Sequence, residues 1–198
     1  MSFRRALTVL VAGVVVCGGW SSLAHAQSAP PKAPKSTVKP APAAAVAGDN
    51  EPALIGQFGT WGAYTATPNG KRVCFALAKP TSSKTNPPNR PRDPAYAFVS
   101  TRPAEKVVNE VSVMMGYMLK PGSESTLEVG GGSYAMYTQG DGVWIKNAAE
   151  EERMVEAMRH SADVVIKGVS AKGTETTDTF SLKGLSQALD RIATDCRR

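Results

Sequence analysis

The chain has 198 residues with 23 Lys and Arg against 17 Asp and Glu, a formal net charge of +6. Arg4 and Arg5 carry two of those charges, and Lys32, Lys35 and Lys39 against Asp49 carry two more, so the remainder of the chain holds +2. That balance lacks the electrostatic footprint of nucleic-acid binding, and nothing after the first residues approaches the roughly 20 apolar residues that span a bilayer.

The first 26 residues read as a secretory signal peptide. Arg4 and Arg5 form a positive start, Leu7 to Val16 an apolar run, and Ala24-His25-Ala26 a small-residue cleavage site before Gln27. A run of about ten residues is too short for a retained anchor. Cys17 follows the apolar run but lacks the small preceding residue of a lipid-attachment site, since Val14-Val15-Val16 stands there. Residues 27–50 carry prolines at 30, 31, 34, 40 and 42 and no aromatic residue. Such a composition cannot bury enough apolar surface to offset ordering entropy, so it predicts a disordered, extended Pro/Ala/Lys-rich linker. Residues 51–198 are then a single domain, long enough to bury roughly two thirds of its unfolded surface around one core.

Within that domain Val73, Phe75 and Leu77 alternate with Cys74, Ala76 and Ala78, which predicts a strand apolar on both faces and packed inside a sheet. Pro80 to Pro94 reads as a long loop, stiffened by five prolines and carrying Lys84, Arg90 and Arg92. Loops of that kind on a β scaffold often hold binding residues, so these three cations mark a possible partner-binding loop, with a plain solvated connection as the alternative. Ala95 to Thr101 is a second β-rich run, and Val107 to Leu119 shows a period-two pattern of a half-buried strand.

Shorter strands follow at Ser125 to Val129, Ser133 to Thr138 and Val143 to Lys146, separated by Gly130-Gly131-Gly132 and Gly140-Asp141-Gly142. The glycines suit tight hairpin turns, which demand positive φ. Asp163 to Ser170 and Thr174 to Leu182 flank Lys172-Gly173 as a further hairpin. Two helices interrupt the rhythm. Ala148 to His160 begins with Asn147 and Glu150 in a capping-box-like arrangement, and Leu185, Leu189, Ile192 and Cys196 share one face of a C-terminal helix. The pattern predicts a mainly β domain, an antiparallel sandwich or barrel-like sheet with the last helix packed on it.

Candidate chemistry is sparse. Cys74 and Cys196 are the two cysteines left after signal cleavage, both on apolar faces of an exported chain, which predicts a structural disulfide. A catalytic disulfide would want a Cys-x-x-Cys spacing, and it is absent. His160 is the one histidine beyond the leader, too few for a nucleophilic triad or a zinc site, and at a helix end it suits the helix dipole. Glu150, Glu151 and Glu152 fit the first turn of the same helix for the same reason. Gly130-Gly131-Gly132 leads into a strand, without the Gly-Lys-Ser/Thr of a phosphate loop. No cofactor and no metal is expected. An envelope enzyme working through carboxylates, or through tyrosines such as Tyr96 and Tyr117, is the alternative reading.

From about Gly59 to Cys196 the chain resembles the invasion associated locus B family of exported proteobacterial proteins. The resemblance rests on Trp61 with Gly62-Ala63-Tyr64, on Val73-Cys74-Phe75-Ala76, and on Arg92-Asp93-Pro94-Ala95-Tyr96 running into Val99-Ser100-Thr101-Arg102-Pro103. Asn109-Glu110-Val111-Ser112, Gly140-Asp141-Gly142-Val143-Trp144 and Phe180-Ser181-Leu182-Lys183-Gly184-Leu185, then Ala188-Leu189, complete it. It implies a β-rich periplasmic or cell-envelope protein without known catalysis, in a family named for a pathogen member linked to entry into host cells. A binding role toward an unidentified protein or envelope component follows as the expectation.

Overall fold

Residues 51–197 are described by a computed structural model; the expected signal peptide and linker lie outside the described residues. The strands are β1 Ala53–Phe58, β2 Trp61–Ala66, β3 Val73–Ala78, β4 Ser82–Asn86, β5 Tyr96–Arg102, β6 Val107–Met114, β7 Glu124–Val129, β8 Gly132–Gln139, β9 Gly142–Ile145, β10 Asp163–Val169 and β11 Glu175–Ser181. The helices are α1 Glu151–His160 and α2 Leu185–Cys196. All strand pairs are antiparallel, in the order β1-β2-β3-β5-β6-β9-β8-β7-β10-β11-β4, so the expected mainly β architecture holds as one eleven-stranded sheet that does not close. Among the described residues no helix is long and apolar enough to cross a membrane.

Alternation decides what each strand buries. In β3, Cys74, Ala76 and Ala78 point into the core while Val73, Phe75 and Leu77 are half-buried on the other face. There Tyr64 stacks on Phe75 with centroids 5.3 Å apart, and Phe98 lies 5.9 Å beyond, which accounts for a strand apolar on both sides. α2 packs on β1, β2, β3 and β5, burying Leu185, Ala188, Leu189, Ile192 and Cys196. Each large aliphatic side chain buried there contributes about 1.5–3 kcal/mol. Cys196 meets Cys74 in a disulfide with Cα atoms 5.9 Å apart, joining positions 122 residues distant.

Several expectations need correction. β1 and β2 have no counterpart in the sequence reading, because Gly56, Gly59 and Gly62 break the apolar alternation that identifies strands. The Pro80 to Pro94 segment is not wholly a loop: Ser82–Asn86 forms an exposed edge strand on β11. The run through Leu119 ends as a strand at Met114. Gly116 there has φ +71, and a Cβ on it would lie 2.1 Å from the Asp93 carbonyl oxygen, so the chain turns away against the incoming Asp93-Pro94 backbone. Residues 148–150 are a 3-10 turn in which the Asn147 side chain accepts from the Ala149 N–H at 3.2 Å, and the Glu150 carboxylate pairs with Arg153 instead of closing a capping box.

Candidate functional site

The segment between β3 and β5 crosses to the far edge of the sheet and returns, and the side chains it presents on the way form the candidate site. β4 pairs Thr85 with Thr176, Lys84 with Thr177 and Ser83 with Asp178. After β4 the backbone turns through a cis Asn86–Pro87 bond and Asn89, which has φ +59, and the Arg90 N–H donates to Thr85 Oγ1 at 3.1 Å. Asparagine tolerates this left-handed conformation better than other residues with a Cβ. Further on, the Asp93 N–H donates to the Gly116 carbonyl at 3.0 Å, which fixes the return toward β5.

Of the three cations expected to mark this segment, Lys84 and Arg90 are exposed, and Arg92 is not. Arg92 Nη2 donates to Asp178 Oδ2 at 2.7 Å, with the aspartate side chain fully buried on β11 and the arginine side chain only 11% exposed. The guanidinium also lies over the Tyr117 ring, 5.5 Å from its centroid. Tyr117 is held by a 2.6 Å hydrogen bond between its hydroxyl and Thr176 Oγ1. Burial pushes the Tyr117 pKa up, and the hydrogen bond with Thr176 and the Arg92 charge pull against it. Arg92 therefore secures the segment to the sheet, and Lys84 and Arg90 are presented from it.

Two recesses flank this segment. The outer one, about 440 Å³, is lined by Ser83, Lys84, Thr85, Pro88, Asn89 and Arg90, with Arg92 at its margin. The inner one, about 460 Å³, lies between the return of the segment and the β10–β11 turn, and Arg90, Arg92, Tyr117, Met118, Lys172 and Thr174 line much of it. A third, open concavity of about 600 Å³ runs along α1 beside Glu152, Glu156 and His160. His160 Nδ1 lies 2.9 Å from the Glu156 carbonyl oxygen and 3.3 Å from its carboxylate, with the ring largely in solvent.

Glu151 does more than face the helix dipole. Its Oε1 accepts from the Val111 N–H at 2.9 Å, where β6 has run past its pairing with β9, which covers Ser112 to Met114. Burial raises the Glu151 pKa, opposed first by that backbone hydrogen bond and reinforced by the Glu110 charge. An acidic residue in a first helical turn is all the sequence shows of this contact. Tyr96 and Tyr117 do not form a joint site: Tyr96 lies beside Phe98 under the Lys79 ammonium, and Tyr117 sits with Arg92 and Thr176. Among the described residues no three His, Cys, Asp or Glu side chains gather as a metal site.

The chain matches no curated protein and no solved structure. The family described as Invasion associated locus B (IalB) protein matches residues 61–193, from Trp61 at the start of β2 to within the last turn of α2. With well over half of the chain inside that match, including β2 to β11, most of α2 and the cation-bearing segment, the chain belongs to the invasion associated locus B family.

Proposed function

We propose that this is an exported, non-enzymatic periplasmic or cell-envelope protein that acts by binding an envelope or host partner through the segment carrying Lys84 and Arg90. In this reading residues 1–26 are a signal peptide, 27–50 a linker that sets the domain off, and 51–198 the binding domain. Family membership and a buried disulfide of the kind that persists in oxidising compartments support export. The observation that carries the binding role is the presentation of Lys84 and Arg90: both are exposed, on a segment anchored at one end by β4 and at the other by the buried Arg92–Asp178 pair. A rigid support lowers the ordering cost of binding, and exposed cations steer a partner of opposite charge.

The test uses protein recovered from the envelope fraction of its host. N-terminal sequencing is expected to begin at Gln27. Crosslinking and affinity capture from envelope extract are expected to return a partner that the double variant Lys84→Glu with Arg90→Glu loses by about tenfold or more, since reversing two rim charges introduces like-charge repulsion. Capture that is indifferent to both reversals would remove this segment as the binding surface.

A further inference from the structure

We propose that the inner recess is a binding site for a small organic anion, a compact acid that carries a carboxylate or phosphate on an apolar body. The charge around it is one-sided. Arg90, Arg92 and Lys172 all line the recess, and no carboxylate does. Asp178, which pairs with Arg92, is fully buried and accounts for one positive charge. The Arg90 guanidinium and the Lys172 ammonium meet no carboxylate among the described residues, so two cations remain uncompensated at the mouth of one cleft. Converging cations in a concave, partly desolvated site attract an anion more strongly than the same charges spread on a flat surface.

A second observation concerns a donor. Arg92 Nη2 is used on Asp178 Oδ2, while Nη1 is buried and has no hydrogen-bond acceptor among the described residues, and the second carboxylate oxygen, Asp178 Oδ1, is likewise buried and unmatched. Buried donors are nearly always paired, and leaving one unmatched costs about 1–3 kcal/mol. In the proposed complex a carboxylate or phosphate oxygen of the ligand supplies Nη1 with an acceptor. Tyr117, clamped by its 2.6 Å bond with Thr176, and Arg92, clamped by Asp178, hold this wall in place, so the recess is formed before any ligand arrives.

The rest of the lining sets the ligand's body. Pro91, Tyr117 and Met118 give an apolar side, and Met118 is 63% exposed, unusual for so large an apolar side chain. Thr85, Ser170 and Thr174 add small polar groups to the lining. A volume of about 460 Å³ lies within the range of small-molecule sites, about 300–1,000 Å³, and admits a single ring with its acid group. An inorganic ion would leave the apolar side unused, and a long polyanion would need a basic track that a domain near +2 does not provide.

The experiment is a titration of the intact mature protein at low ionic strength with benzoate, phenyl phosphate and neutral benzamide, followed by NMR and calorimetry. The expected result is saturable binding of benzoate, phenyl phosphate or both, with shifts at Tyr117 and Lys172, and none with benzamide. The pair Arg90→Gln with Lys172→Gln is expected to weaken that binding about tenfold or more while the melting temperature holds, because both side chains are exposed and unpaired. Failure of both acids to bind, equal binding of benzamide, or unchanged affinity in the double variant would each overturn the proposal. The titration reads the ligand directly and uses no partner capture, so it can fail or succeed independently of the partner-binding reading.

Discussion

Arg92 shows how a residue that reads as one more surface cation in sequence acts as a fastener in the fold. In a proline-rich stretch with Lys84 and Arg90 it resembles a third surface cation, yet its partner Asp178 lies 86 positions later on β11, a distance no local pattern reports. Burying Asp178 is tolerable only because the guanidinium lies against it, since an uncompensated buried carboxylate is strongly disfavoured. Arg92→Met is therefore expected to destabilise the protein by about 3–5 kcal/mol, measured by urea unfolding. Adding Asp178→Leu should recover most of that loss, because replacing both members of a buried pair by apolar residues removes the unpaired charge. A double variant no more stable than Arg92→Met alone would assign the loss to packing around Tyr117.

Among the elements, α2 depends most on a covalent contact. Its apolar face comes from local periodicity and is legible in the sequence: Leu185, Leu189, Ile192 and Cys196 all prove buried. The alanines Ala63, Ala76 and Ala97 on β2, β3 and β5 bury without bulk, which leaves room for the helix over these strands. The Cys74–Cys196 bond holds the last turn of α2, close to the end of the described chain. Cys196→Ser is expected to cost about 2–5 kcal/mol, given the long loop the bond closes. Hydrogen exchange should show α2 losing protection before β5 and β6. Uniform loss across the sheet would mean that the helix and sheet open as one unit.

At the scale of the molecule, an open sheet of eleven strands needs something to hold its two ends in place, and Trp61 supplies part of it. Its Nε1–H donates to the Ser181 carbonyl at 2.9 Å, and the Thr60 N–H donates to the Lys183 carbonyl at 3.2 Å, so the β1–β2 turn is bound to the end of β11 although these strands stand near opposite ends of the sheet order. Gly184 tightens the junction: it has φ +94, and a Cβ there would lie 1.9 Å from the Phe58 carbonyl oxygen. Trp61 is fully buried. Trp61→Phe keeps an aromatic ring but removes the donor, leaving the Thr60 hydroxyl as the side-chain donor to the Ser181 carbonyl, and the lost bond and smaller buried ring are expected to cost about 1–3 kcal/mol in urea unfolding. Increased exchange at both the β1–β2 turn and residues 181–184 would accompany it; a change on one side alone would rule out the joint as a shared fastening.

The sequence by itself determined what depends on period and composition. Alternation along β3, β5 and β10, the apolar stripe of α2 and the glycine turns between β7, β8 and β9 are set by residues within a few positions of one another, and they suffice for a mainly β, helix-capped domain. The pairing of Cys74 with Cys196 was also within reach, because few cysteines leave few choices. Tertiary structure alone decided the rest. β4 reads as polar loop because an exposed edge strand has no buried face to mark it, and it becomes a strand only where β11 offers hydrogen-bonding partners. The fastening of Arg92, the backbone contact of Glu151 and the one-signed recess beside Tyr117 each join residues tens of positions apart, and only the path of the chain across the sheet brings them within reach of one another.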